Sequence, residues 1–210
     1  MNKILILSPH TDDAELGCGG TIIRLIEQGS NILWLVFSTA EESLPAGFAS
    51  DTLENEFKSV VQKLSLNSDN YRIYKYKVRH LHEKRQEILE QLVGVRNSFG
   101  PDMVIGPSLN DFHQDHTVVA NEMVRAFKTT SSIICYELPW NYVNFQTQFF
   151  VKLSEEQIER KVDLLKSYRT QLAKHRFYFS ADFIKGLAAA RGSQVDHKYA
   201  EAFEVIRSII

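Results

Sequence analysis

The sequence predicts an α/β fold built on a mostly parallel sheet, and three observations predict it. Short apolar runs of the kind that form fully buried strands alternate with longer stretches of helical periodicity. Two of those runs, residues 3–7 and 103–105, each lead straight into a polar cluster rich in His and Asp that opens a helix. No linker composition, internal repeat or low-complexity segment interrupts the 210 residues, 44% of them hydrophobic, so a single domain over residues 1–210 is expected.

Residues 3–7 (KILIL) read as the first strand, which Pro9 is expected to end because proline cannot pair in a central strand. A helix follows over 14–28, with Gly29 as its C-terminal cap. The second strand is 31–37 (NILWLVF). The polar loop 38–50, with Glu41, Glu42, Pro45 and Gly47, then lies on the same sheet edge as the first polar turn and is a candidate wall for it. In 52–64, Leu53, Phe57, Val60, Val61 and Leu64 recur at helical spacing. Residues 71–78 alternate weakly and are predicted as a strand. Residues 83–98 form a helix with Ile88, Leu92 and Val95 on one face, stopped by Gly100-Pro101. The strand 103–105 is cut off by Gly106-Pro107, and a helix is predicted over 117–127. A strand at 132–137 leads into 138–148 (LPWNYVNFQTQ), an aromatic, amide-rich loop and a candidate lid. An edge strand at 149–153 comes next, then a helix to residue 168 opened by the capping box Ser154/Gln157. A last helix is predicted over 182–191, and the tail 199–210 is open between helix and strand.

A formal net charge of -2 leaves no electrostatic footprint for nucleic acid, and no Lys/Arg cluster is dense enough for a membrane surface. No run approaches the roughly 18 apolar residues of a spanning helix, and no leader pattern opens the chain, so a cytoplasmic protein is expected. A homo-oligomer is compatible with the sequence. Cys18 and Cys135 lack CxxC spacing and read as buried packing residues. Gly17-Cys18-Gly19-Gly20 lacks a dinucleotide fingerprint and lies inside the helix, which points to close helix–strand packing.

The chemistry concentrates in the two polar clusters. His10 and Asp13, three apart through a strand-to-helix turn, can point an imidazole and a carboxylate at one ion, with Asp12 between them facing elsewhere. The second cluster repeats this layout in His113-Gln114-Asp115-His116. If the two strands are neighbours, both clusters face one another across a sheet edge, where open α/β sheets bind ligands. A catalytic zinc keeps three ligands drawn from His, Asp and Glu and leaves a position for water. His10, Asp13 and His116 supply that set, which accepts Zn2+ and also Fe2+. Asp12 is then the candidate general base, His113 as imidazolium the oxyanion stabiliser or acid, and Asp115 the carboxylate that fixes a histidine tautomer. His80, His82, His175 and His197 lack a carboxylate at ligand spacing and read as surface residues.

PHTDDAELGCGG, DFHQDH about 100 residues later and the final RGSQVDHKYAEAFEVIR together resemble the PIG-L/LmbE family of zinc-dependent N-deacetylases over nearly the whole chain. The resemblance implies a Rossmann-like, three-layer single domain that hydrolyses the N-acetyl group of an amino sugar or sugar conjugate to acetate and a free amine. It implies zinc on His10, Asp13 and His116, Asp12 as base, and His113 as acid or oxyanion stabiliser. Thr11 stands where many members have proline. Leu53-Glu54-Asn55-Glu56 lacks the arginine with which many hold substrate, so a charged substrate group is not expected from that segment. Candidate substrate contacts are Glu137, Trp140, Asn141, Arg191 and Tyr199, with Arg191 equally readable as half of a structural ion pair. The alternatives are an amidase for another N-acylated amine and a non-catalytic sugar- or metal-binding module. The paired Asp12 and His113 weigh against the latter, because binding needs neither.

Overall fold

Successive side chains of β1 (Lys3–His10) leave the strand on opposite sides: Ile4 and Ile6 enter one apolar core, Leu5 and Leu7 another. β2 (Asn31–Ser38) does the same, with Ile32, Trp34 and Val36 against Leu33, Leu35 and Phe37. Burial on both faces is why these strands read as continuous apolar runs. The computed structural model describes residues 2–209. Its other strands are β3 (Tyr71–Ile73), β4 (Met103–Gly106), β5 (Ser132–Tyr136), β6 (Phe149–Leu153) and β7 (Tyr199–Arg207). They pair in the order β3-β2-β1-β4-β5-β7-β6, parallel from β3 to β5, with β7 antiparallel to both its neighbours.

The helices are α1 (Asp13–Glu27), α2 (Thr52–Lys63), α3 (Arg85–Phe99), α4 (Gln114–Phe127), α5 (Glu155–Leu165), α6 (Arg169–Ala173) and α7 (Ala181–Ser193). Ile22 of α1, Phe57 of α2, Leu165 of α5 and Ile184 of α7 pack into the first core; Ile88 of α3 and Met123 of α4 pack into the second. The sheet is therefore the middle of three layers. From β1 the chain steps outward through β2 to β3, then returns by α3 to β4 on the other side of β1. The crevice between the C-terminal ends of β1 and β4 is the switch point at which such sheets bind ligands.

Three expectations are corrected, and one left open is settled. Pro9 lies inside β1: beyond Ile6 the strand is paired on the β2 side alone, through His10↔Ser38, so proline costs no ladder bond on the vacated side. β3 ends at Ile73, although Tyr74 and Tyr76 still donate backbone N–H groups to Val36 and Phe37 of β2. α4 begins at Gln114, three residues early, so Asp115 and His116 ride on its first turn. The tail is a strand through Arg207, and Ile210 lies outside the described residues. Gly29 ends α1 as expected, at φ 78, with Ser30 N–H on Leu25 O and Gly29 N–H on Ile26 O, a Schellman arrangement.

The glycine run has a packing role. A methyl group on Gly17 would overlap the Tyr136 ring, and one on Gly20 would overlap Leu153. Between them Cys18 leaves helical geometry (φ -146, ψ 26), breaking the α1 hydrogen-bond ladder. A buried ion pair fills the break. Lys161 donates to Leu16 O at 2.7 Å and to Glu201 at 2.6 Å, and Glu201 accepts the N–H groups of Gly20 and Thr21 at 3.0 and 2.7 Å. Cys18 and Cys135 are free thiols, both buried.

Candidate metal centre

His10 is the last residue of β1 and Asp13 the first of α1, while His116 sits in the first turn of α4 beyond β4. Because β1 and β4 are hydrogen-bonded neighbours, three side chains from the two clusters converge. His10 Nδ1 lies 3.2 Å from Asp13 Oδ2, His116 Nε2 lies 3.2 Å from the same oxygen, and the two nitrogens are 3.3 Å apart. Three donors bound at 2.0–2.1 Å in a tetrahedral zinc site are separated by about 3.3 Å. The triangle therefore fits one small divalent ion and leaves a fourth direction free.

Tautomers fit as well. A carboxylate only accepts hydrogen bonds, so His10 donates from Nε2 to Asp115 Oδ2 at 2.9 Å and His116 donates from Nδ1 to Asp111 Oδ2 at 2.7 Å. That leaves the His10 Nδ1 and His116 Nε2 lone pairs facing inward beside Asp13. Asp115 is itself held by N–H groups of Arg79 at 2.6 Å and Leu81 at 3.3 Å. Asp111 is a site residue that spacing did not reveal. Its signal was a carboxylate five positions before His116 that also holds the His113 N–H at 2.8 Å.

Such a set binds protons when no metal competes. Burial alone would lower the His10 and His116 pKa values, but Asp115 and Asp13 raise His10 to about 9, and Asp13 and Asp111 raise His116 to about 10. Burial pushes the Asp13 carboxyl up, and the two histidines more than reverse this, holding it well below the usual carboxylate range. Asp12 goes the other way: burial and the Asp13 charge lift it to about 7.

The triangle opens on a cleft of about 210 Å³ lined by Asp12, His113, Trp140, Asn141, Lys174 and Arg176 among others. Asp12 thus faces the same cleft as its neighbours, against expectation; N-terminal to α1 it escapes the helical geometry (φ -165) that would have turned it away. Ala40 and Ser43 of the loop after β2 form part of the wall, as expected. His113 caps α4: its Nδ1 accepts the Asp115 N–H at 3.2 Å. The ring is therefore neutral, with its proton on Nε2, and burial and the nearby His116 and His10 charges lower its pKa to about 4. The imidazolium expected from sequence is corrected to a neutral N–H donor.

The candidate substrate contacts divide. Trp140 and Asn141 line the cleft, and Asn141 Nδ2 reaches Asp111 at 3.3 Å. Glu137 and Arg191 are paired to each other, Arg191 Nε donating at 2.8 Å, with Tyr142 also on Glu137, and neither lines the cleft. Tyr199 is also corrected: it begins β7 opposite Leu153 and packs on the cluster of Leu153, Ile158 and Ala188, away from the cleft. Sequence reading missed Gln171, Lys174, Arg176 and Tyr178, which reach the cleft from the segment after α5.

The family model described as PIG-L, GlcNAc-PI de-N-acetylase, matches residues 5–127. The chain is 25% identical over 173 residues to the uncharacterized deacetylase YaiS of Escherichia coli K12, covering 80% of this chain and 90% of that protein. It is 21% identical to the diacetylchitobiose deacetylase of Thermococcus kodakarensis, covering 100% of this chain and 85% of the relative. Among solved structures, the N,N'-diacetylchitobiose deacetylase of Pyrococcus horikoshii matches with a TM-score of 0.78 at 19% identity, over 98% of this chain and 84% of that one. The 4-carboxy-2-hydroxymuconate hydratase GalB of Pseudomonas putida KT2440 matches with a TM-score of 0.78 at 16% identity, over 100% and 98%. These two likenesses establish the fold, which carries more than one chemistry. The family match is the more specific finding, because it runs from β1 through α4 and so includes every donor of the triangle: the chain belongs to the PIG-L family of N-deacetylases.

Proposed function

We propose that this protein is a zinc-dependent hydrolase that removes the N-acetyl group from an acetamido sugar conjugate, yielding acetate and a free amine. The observation that carries this reading is the triangle of His10, Asp13 and His116 beside Asp12 and His113 in one cleft. His10, Asp13 and His116 would hold the ion, with ferrous iron an acceptable substitute. When bound, the ion supplies Lewis acidity that acidifies water towards neutral pH and polarises the acyl oxygen.

This chain's own residues do the rest. Asp12, with a pKa lifted to about 7, accepts a proton from the attacking water. His113 donates its Nε2–H to the acyl oxygen as negative charge develops there. As the C–N bond breaks, the proton taken by Asp12 passes to the leaving nitrogen, and the amine departs. Asp115 and Asp111 keep His10 and His116 in the tautomers that face the ion. Asn141 and Trp140 contact the sugar. Residues 1–210 act as one catalytic domain in this reading, with segment 138–148 as a wall of the cleft. A cytoplasmic site of action is supported by two thiols that stay unpaired. No helix among the described residues is long and apolar enough to cross a membrane.

The test is acetate release by zinc-loaded protein from N-acetylglucosamine glycosides and phosphates, with Asp12→Ala as control. Release that disappears in the control is expected. A fully zinc-loaded protein that releases no acetate from any of them would overturn the reading.

A further inference from the structure

Two cations, Lys174 and Arg176, line the cleft without a direct ion-pair partner among the described residues. Lys174 is half-buried at the end of α6 and donates from Nζ to the backbone oxygen of Ser43 at 2.7 Å. Arg176 stands at the mouth, its guanidinium 5.6 Å from the Tyr178 ring and donating to the Tyr178 hydroxyl. Neither comes within 4.0 Å of a carboxylate among the described residues. Two cations behind the cleft wall are neutralised by contrast, Lys161 by Glu201 and Arg191 by Glu137. Burial and the charge of Arg176 lower the Lys174 pKa, and the more distant Asp12 and Glu56 offset this only in part.

The segment that carries them is fixed, not draped. Glu56 of α2 accepts the Thr170 N–H at 3.0 Å and its hydroxyl at 2.6 Å. Tyr168, fully buried, donates to Glu15 of α1. Lys174 itself ties the segment to the loop after β2. Between the two cations His175 takes a left-handed backbone (φ 52), which turns the chain sharply at that point. Two like charges on an anchored wall, with no carboxylate in direct contact, favour an arriving anion. The segment lies beyond residue 127, outside the stretch the family model matches.

We propose that Lys174 and Arg176 recognise an anionic group, a phosphate or a carboxylate, that the substrate carries next to its acetamido sugar. This rests on the deacetylation reading above. A neutral disaccharide has nothing to set against the two charges, so the preferred substrate is a sugar phosphate or an acidic conjugate. The sequence expected no such group, because the segment 53–56 lacks arginine; the cations come from another element.

The test uses zinc-loaded protein and three probes: methyl N-acetylglucosaminide, N-acetylglucosamine 1-phosphate, and the N-acetylglucosaminide of glycolic acid. Preference for an anionic probe over the neutral one, in kcat/KM, is expected to be about tenfold or more. It should fall by a similar factor in Lys174→Met/Arg176→Met, chiefly through KM, weaken with added salt and return in part with Arg176→Lys. Which anionic probe shows the preference separates phosphate from carboxylate. Binding of the same probes to zinc-loaded Asp12→Ala protein, measured by calorimetry with and without the two methionine substitutions, is independent of turnover. Anion-selective binding without acetate release would sink deacetylation and keep this site. Acetate release with equal affinity for all three probes would remove the site and keep deacetylation. Retention of the preference in the double variant also overturns the proposal.

Discussion

His10 donates its Nε2 proton to Asp115 across 105 positions of sequence, at 2.9 Å, and this one bond decides which side of the imidazole faces Asp13 and His116 in the candidate metal triangle. Replacing Asp115 by Asn leaves a side chain that can rotate to present either a donor or an acceptor, so the His10 tautomer is no longer fixed. Zinc affinity in Asp115→Asn should fall about 10- to 100-fold, as expected for loss of an outer-sphere carboxylate. A competition titration against a chromophoric chelator measures it, and an unchanged affinity would remove Asp115 from its orienting role.

Asp12 and Asp13 are adjacent but should behave oppositely. Asp13→Ala and His116→Ala should each lose stoichiometric zinc. Asp12→Ala should keep it and lose about 10²–10⁴-fold in kcat, the range of general acid–base catalysis. Metal analysis alongside acetate release separates the two, and a metal-free Asp12→Ala protein contradicts the division of labour.

His113 has a structural and a chemical duty that can be uncoupled. His113→Ala removes both the cap on α4 and the donor, costing about 0.5–2 kcal/mol of stability along with turnover. His113→Asn places a good N-cap residue at the same position, so stability should recover while activity stays low. Denaturant melts of the two proteins report the cap; if Asn fails to recover stability, the ring's bond to the Asp115 N–H carries no weight.

Metal and protons compete for the same lone pairs. In the metal-free protein the folded-state pKa values of His10 and His116, about 9 and 10, lie above the ordinary 6.5. Their stabilising contribution is fully present below pH 6.5 and is lost as pH rises through 9 to 10. Zinc uptake near pH 7.5 should therefore release protons, and affinity should increase with pH. Calorimetry in buffers of different ionisation enthalpy reads the number released. A value of zero would falsify protonation of the pair.

The break in α1 gives a stability prediction remote from the cleft. Lys161→Met leaves Glu201 buried without its charge partner and Leu16 O without its donor, at a cost of about 3–5 kcal/mol. Gly17→Ala pushes a methyl group into Tyr136, at about 1–3 kcal/mol. Urea midpoints give both, and a neutral Gly17→Ala would mean that the Tyr136 ring moves aside freely.

The sheet was legible because β1, β2, β4 and β5 are buried on both faces, which leaves apolar runs that polar loops cannot imitate. The candidate donors could be picked out because His10 and Asp13 lie three apart through one turn and His116 sits in a second cluster of the same layout. The start of α4 was not, because its cap is a histidine ring and sequence signals for caps rest on Ser, Thr, Asp and Asn. Lys174 and Arg176 sit in a polar stretch without periodicity, and what carries them to the cleft is the Glu56–Thr170 contact, 114 positions apart. Glu137 and Arg191 are separated by 54 positions, so nothing local told a substrate contact from an ion pair.

The adjacency of β1 and β4 also ties the proposed metal site to the folding of the sheet. His10 and Asp13 leave the ribosome early, but the third donor lies about 100 residues later and is set in place only when β4 has docked along β1. A nascent chain ending before His116 offers two donors and no closed site, so it cannot hold an ion tightly. In the proposed zinc-bound protein, tight loading would go with that long-range strand pairing, so a loaded chain would be one in which the two strands beneath the cleft are joined.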